Sequence, residues 1–325
     1  MHPLITVFVE KNSDPQPLLA CAATLAQAAQ SGQEIALHLL SVREPLPWYA
    51  RLLDPNTDEL EQAAQRALES RLHQLAEPLR NRGLAASVSV RAGKPASEVA
   101  HACSETKSTL LIKQLGTDSE PAASPTDLQI LREAPCGVLM RKHDAPADFP
   151  KRVLAAVAPP IPPSETDILN IQAPPDLERL ALNQRVLSAA LEFAQLTGAE
   201  VHVAHAWHVP GEGLLRNEPL LNKQQVNDYV ESVRLAHQEA LARFMAHAGA
   251  SIPPEHWHLA KGSPPAVLAD LVKRLGIDLL IMGTVVRSGV PGFLLGSTTE
   301  SIAREAPCSI LALKPDPPAD SARKA

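Results

Sequence analysis

Several things are scarce in this chain of 325 residues, and each absence removes a class of function. There is no dense run of Lys or Arg: 30 basic residues face 36 acidic ones, and the net charge is -6. A nucleic-acid binder needs a basic face to neutralise phosphates, so that class is disfavoured. No apolar run is long enough to span a bilayer, and the opening MHPLITVFVEKN lacks the charged start of a secretory signal. The four cysteines, Cys21, Cys103, Cys136 and Cys308, lie far apart without CxxC spacing. They fit neither a disulfide framework nor a zinc knuckle and read as small buried residues in a reducing compartment. No GxxxxGK[ST], GxSxG or HExxH motif occurs. A cytoplasmic protein without a catalytic constellation is expected.

What is present is a repeat. The string REAPC stands at Arg132–Cys136 and again at Arg304–Cys308. SVRAGKPASEVAHAC from Ser89 answers HLAKGSPPAVLADLV from His258, and STLLIKQLG from Ser108 answers IDLLIMGTV from Ile277. In each pair an apolar strand ends at glycine and a proline opens a helix. LITVFVE (Leu4–Glu10) and VLAAVA (Val153–Ala158) are short continuous apolar runs, suited to strands buried on both faces. The first copy continues with a helix near Pro17–Ser31, a strand at Glu34–Ser41, a helix near Asp58–Arg80 and a strand at Ala85–Arg91. In the second, a helix after Asn183 ends at Gly198, AEVHVAHAW forms a strand, and a long helix follows from Val226 with Tyr229, Val230, Val233, Ala240, Leu241 and Phe244 on one side. Strands alternating with helices at these lengths imply right-handed βαβ units and doubly wound parallel sheets, with five strands per copy. The expected boundaries are a first domain over 1–143, a linker over 144–150, a second domain over 151–315 and a disordered tail over 316–325.

The stretch GTVVRSGVPGFLLGSTTESIAREAPC, from Gly283 to Cys308, carries the sharpest chemistry. Gly-rich turns followed by a helix start are suited to anions, because the free N–H groups and dipole of a helix N-terminus favour negative charge. The candidate contacts are Gly283, Thr284, Arg287, Ser288, Gly289, Gly292, Gly296, Ser297 and Thr298. Ser297 to Glu300 reads equally well as an S-x-x-E capping box. This stretch, with APC leading into the last strand, resembles the universal stress protein family, most closely the second half of its tandem E-type members. The resemblance covers nearly the whole chain as two copies and implies the adenine nucleotide alpha hydrolase-like fold. ATP-binding members of that family place a glycine, two residues, a second glycine, nine residues, then glycine with Ser or Thr. Gly283 fills the first position, and Gly296 with Ser297 fill the last. Val286 stands where the second glycine falls, and a β-branched residue there resists both close approach and positive φ. The family's aspartate at the end of strand one is Ala158 in the second copy and Glu10 in the first.

In the first copy, Ser124 matches Gly296 and Pro125 matches Ser297; proline has no N–H to offer. Asp118 and Glu120 nearby would repel a phosphate. The first copy is therefore expected to lack a nucleotide site, and the second to bind ATP weakly. The leading function is a regulatory, non-catalytic binding role in the stress response, with a small-molecule or protein partner. A lipid-like or nucleotide-sugar ligand under the Pro159–Leu182 loop is the alternative, with Ile168, Leu169 and Ile171 as apolar anchors of that loop. Slow ATP hydrolysis is the second alternative. The resemblance further implies antiparallel pairing of GVLMRK (Gly137–Lys142) with SILALK (Ser309–Lys314) as an intrachain pseudo-dimer, with a homodimer also compatible.

Twelve histidines invite a metal reading. His202 and His205 fall on opposite strand faces, and His256 shares a face with His258 without a close carboxylate, so no metal set is expected. His101 and His237 fall on helices. Trp48 and Trp207, at or after the second strands, either line a ligand pocket or cover core. Lys94 and Lys261 sit beside the turns after strand three and read as solvated.

Overall fold

A computed structural model describes residues 3–11, 13–28, 35–46, 49, 56–116, 122–145, 150–161, 177–209, 211–218, 222–284, 296–305 and 307–315. The first half runs β1 (Leu4–Phe8), α1 (Gln16–Ala28), β2 (Ala36–Arg43), α2 (Thr57–Asn81), β3 (Ala86–Ala92), α3 (Pro95–Glu105), β4 (Leu110–Leu115), α4 (Pro125–Glu133) and β5 (Gly137–Lys142). The second runs β6 (Arg152–Ala156), α5 (Leu177–Thr197), β7 (Glu200–Trp207), α6 (Glu212–Asn217), α7 (Lys223–Ala248), a 3-10 turn (Pro254–His256), β8 (Trp257–Lys261), α8 (Pro264–Leu275), β9 (Leu279–Gly283), α9 (Ser297–Glu305) and β10 (Ser309–Leu313). The repeat read from sequence is thus a repeat of elements, five described strands to each half.

The chain divides into two compact units. Unit 1 takes residues 1–149, 286–295 and 303–314, and so includes β10 as well as the first half's strands. Its order is β3-β2-β1-β4-β5-β10. The pairs among β1 to β5 are parallel, with Thr6 beside His38 and Leu111, for example. β10 joins β5 antiparallel, with Leu311 opposite Leu139. The antiparallel pairing implied by the family resemblance is present, and it covers an apolar edge that would otherwise stand open. In this register Cys136 and Cys308 fall at opposite ends of the pair, and all four cysteines are free. Unit 2 takes residues 150–285, 296–302 and 315–325. Its strands follow the order β9-β6-β7-β8, all parallel, repeating the order of β4, β1, β2 and β3.

The central strands β1, β4, β6 and β9 are largely buried, which is why their sequences are mainly apolar, with Lys113 and Gln114 on β4 the marked exceptions. The edge strands β3 and β8 are half-buried and carry the mixed sequences ASVSVRA and WHLAK. Proline at the first helical turn opens α3, α4 and α8, where its missing N–H has no intrahelical acceptor to lose. Gly198 ends α5 at φ +71°, a left-handed cap that a β-carbon would strain. α7 differs from the sequence reading. Its C-terminal half buries Ala240, Leu241, Phe244 and Met245, whereas in the N-terminal half only Val226 is buried, Val230 and Val233 are half-buried and Tyr229 is 46% exposed. The short α6, which lacks apolar periodicity, was not foreseen.

Candidate nucleotide site

In each half the ligand edge of a doubly wound sheet is where the strands end and the following loops begin. Unit 1 fills that edge with its own charges. Ser124 caps α4: its hydroxyl accepts from the Asp127 N–H at 3.2 Å, and the Asp127 carboxylate accepts from the Ser124 N–H at 2.8 Å. The other Asp127 oxygen pairs with the Lys113 ammonium, which rises from β4 and is 1% exposed. Glu10, just past β1, stands 3.4 Å from the same ammonium. Burial pushes the Glu10 carboxyl up, and Lys113 partly offsets that. The helix N-terminus that would receive a phosphate therefore already holds an internal anion, neutralised by an internal cation. Asp118 and Glu120, expected to repel a phosphate there, lie outside the described residues.

Unit 2 places different residues at the same points. Following the alignment of the two halves, Met282 stands where Lys113 does, Gly283 where Gln114 does, and Thr299 where Asp127 does. Met282 and Thr299 are buried. The carbonyl of Gly296 accepts from the Glu300 N–H at 3.1 Å, so Gly296 is the capping residue of α9 and Ser297 opens the first turn. This corrects the capping-box reading, which needs Ser297 at the cap. A glycine cap offers no side chain to the first-turn N–H groups, and Thr299 stands where Asp127 supplies a carboxylate in unit 1. Gly296, Ser297 and Thr298 therefore suit an anion.

The strand ends of unit 2 are shaped by α5. A β-carbon on Gly283 would lie 2.6 Å from Leu182 Cδ2, so this glycine is required by packing, whatever else it contacts. Asn183, buried beside it, donates to the Ala158 carbonyl at 3.0 Å and accepts from the Ala158 N–H at 2.9 Å. The backbone at the end of strand one is thus satisfied from within the protein. Thr284 is buried as well. At this edge the α9 end presents first-turn N–H groups, while Leu182 and Asn183 pack at the strand ends. Arg287, Ser288, Gly289 and Gly292, with Val286, lie outside the described residues, as do Ile168, Leu169, Ile171 and Trp48.

Beside this edge, His205 is 3% exposed. Its Nδ1 donates to the Val157 carbonyl at 3.1 Å, and its Nε2 lies 2.8 Å from Nδ1 of His237 on α7. Burial pushes His205 down to about 4. Trp207 is buried, with the Lys261 ammonium 5.7 Å from its ring centre. Lys261 is also paired to Glu212 at 2.7 Å, so it is held in place and not merely solvated. Lys94 caps α3. His202 and His205 do take opposite faces, but the expectation that no carboxylate stands close to His256 is corrected: Glu200 is 3.0 Å away. Its signal was the Glu-x-His spacing at the start of β7, which puts both side chains on one face. Sequence put Leu182 at the end of the Pro159–Leu182 loop and began the helix after Asn183, whereas α5 already starts at Leu177 and carries both residues.

The doubly wound sheet, its strand order repeated in the two halves and β10 pairing antiparallel with β5, defines the class of tandem α/β proteins. Residues 179–314 match the model of the universal stress protein family. Among curated relatives the chain is 28% identical over 194 residues to universal stress protein E of Escherichia coli K12, covering 59% of this chain and 55% of that protein. It is 26% identical over 193 residues to the universal stress protein E homolog of Haemophilus influenzae, covering 59% and 56%. The match spans just over half the length of these relatives. A crystal structure assigned to the same family from Pseudomonas aeruginosa UCBPP-PA14 is similar at 25% identity and TM-score 0.68, covering 97% of this chain and 94% of that one. A universal stress protein structure from Archaeoglobus fulgidus shares the fold at 17% identity and TM-score 0.59, covering 95% and 98%. Among the described residues no helix is long and apolar enough to cross a membrane.

Proposed function

We propose that this protein is a non-catalytic regulator in the cytosolic stress response, whose second half retains a weakened adenine-nucleotide site and whose first half has given its site up to an internal ion pair. The match of residues 179–314 to the universal stress protein model supports the stress role. One observation carries the rest. The N-terminus of α4 is occupied by Asp127 with Lys113, while that of α9 is capped by Gly296 with neutral Thr299 and Met282 behind it. The difference in charge makes the α9 end the only one of the two suited to a phosphate. Val286 and Ala158 remove two favourable features of the family's ATP sites. Losing one close or charged contact costs about 1–3 kcal/mol, and roughly 1.4 kcal/mol is tenfold in affinity, so a micromolar site weakens to about millimolar.

Calorimetry with ATP tests this on the natural chain and on the double variant Val286→Gly/Ala158→Asp. Weak binding by the first, clear strengthening in the second and no effect of Glu10→Gln are expected. Tight binding by the natural chain would show that valine is tolerated at the turn. No gain in the double variant would favour the second reading, a lipid-like or nucleotide-sugar ligand. Leu182 packed on Gly283 supports that alternative, because it gives the cleft an apolar wall where a nucleotide would approach backbone. Native mass spectrometry of the purified protein would identify such a ligand. Slow ATP hydrolysis would need a general base beside Ser297; release of phosphate from ATP by the double variant is its test.

A further inference from the structure

A second constellation lies at the other edge of the unit 2 sheet, where the strands begin. Glu200 is the first residue of β7, and His202 follows on the same face. His256 ends the 3-10 turn that leads into β8, and His258 sits on β8 beside His202. Glu200 Oε1 is 3.0 Å from His256 Nε2 and 3.5 Å from His202 Nε2. One ligand atom from each of Glu200, His202 and His256 falls within 4.8 Å of the other two. Ligands about 2.0–2.2 Å from a tetrahedral zinc ion lie about 3.3–3.6 Å from one another, so the three atoms are close to a coordination set.

The hydrogen bonds around the cluster fix which nitrogens can coordinate. His256 Nδ1 faces the Val201 carbonyl at 3.2 Å and must carry a proton there. If the ring is neutral, its Nε2 is then a lone pair directed at a carboxylate, an arrangement that repels unless a cation lies between them. His202 Nδ1 lies 3.1 Å from His258 Nε2. With the proton on Nδ1, His202 likewise presents a bare Nε2 to Glu200. Metal-bound histidines are held in the same way, the second ring nitrogen donating to a carbonyl or other acceptor. Two cations stand near. Arg152 approaches the other carboxylate oxygen of Glu200 at 3.6 Å, leaving Oε1 to the cluster, and Arg274 acts on His258.

We propose that Glu200, His202 and His256 bind a divalent late first-row metal ion, zinc being the expected occupant, with water as fourth ligand and His258 orienting His202. Two imidazoles and one carboxylate are the donor set such ions take in preference to calcium or magnesium, which want more oxygens. The metal would join the start of β7 to the turn before β8, tying down the edge strand of the unit.

The test uses untagged full-length protein stripped with chelator, then titrated with CoCl2 and ZnCl2. One equivalent of Co2+ should give the intense visible bands of a tetrahedral N/O site, displaced by Zn2+. Glu200→Gln and His256→Ala, both at partly exposed positions, should keep the circular dichroism of the natural chain and weaken binding at least about tenfold, with His258→Ala weakening it by roughly tenfold or more. His237→Asn, outside the cluster, should change nothing. Zinc should also raise the natural chain's unfolding midpoint and leave that of Glu200→Gln unmoved. Failure of the natural chain to bind Co2+ stoichiometrically overturns the proposal. Unaltered binding in both Glu200→Gln and His256→Ala overturns it too, as does loss of binding in His237→Asn.

Discussion

Replacing Lys113 by methionine, the residue at the matching position of the second half, would test the internal ion pair of unit 1. Lys113 is 1% exposed and the Asp127 side chain 6%, so neither charge is shared with solvent to any useful degree. Removing the cation leaves the Asp127 carboxylate buried, with only the Ser124 N–H at 2.8 Å and the end of α4 to stabilise it. Breaking one side of a buried pair typically costs about 3–5 kcal/mol, because the remaining charge has lost its compensation. With a urea dependence of about 2 kcal/mol per molar, the midpoint of unit 1 should fall by about 1.5–2.5 M. The double variant Lys113→Met/Asp127→Thr copies the neutral pair of the second half. Replacing both members of a buried pair by well-packed neutral groups is often neutral, so this variant should recover most of the loss. A residual deficit of about 1 kcal/mol is expected from the capping interaction that Asp127 made. Equilibrium urea unfolding followed by circular dichroism reads all three proteins. A single variant within 1 kcal/mol of the natural chain, or a double variant as unstable as the single, would refute the claim that this edge is held by mutual charge compensation.

Three further outcomes follow from the same geometry. Gly283→Ala should destabilise unit 2 by about 1–3 kcal/mol, and Leu182→Ala in the same chain should cost much less than the sum of the two changes; strict additivity would show that the glycine does not serve Leu182. Asn183→Leu leaves the Ala158 N–H and carbonyl without their partner and should cost about 1–3 kcal/mol per group in thermal or urea unfolding, whereas Asn183→Asp, which still accepts from the N–H, should cost less. His205 is held well below its ordinary value, so its contribution is present above the unfolded histidine's pKa near 6.5 and is lost as pH falls toward about 4. Urea midpoints measured from pH 7 down to 4 should decline over that window, and His205→Asn should flatten the decline; an unchanged slope would assign the pH dependence to other groups.

Much of the architecture was legible in the chain itself. Continuous apolar runs such as LITVF mark strands buried on both faces, proline after glycine marks the starts of α3 and α8, and the doubled REAPC reveals that one unit was written twice. Those signals are local, and they depend on propensity and period alone. The difference between the two helix starts was legible in part, since Pro125 in place of Ser297 is a local fact. Its physical content was not. Lys113 and Asp127 look like ordinary surface charges in sequence, and only the parallel sheet buries one on β4 against the first turn of α4. Gly283 likewise carries two readings until Leu182 is seen against its Cα. The same holds for Glu200, His202 and His256, which are spread over more than fifty positions and meet because β7 and β8 are neighbours in register. Sequence period decides which side chains share a face; which faces meet is set by strand order and helix packing, and it is there that a lone lysine becomes half of a buried pair and scattered histidines become a cluster around a carboxylate.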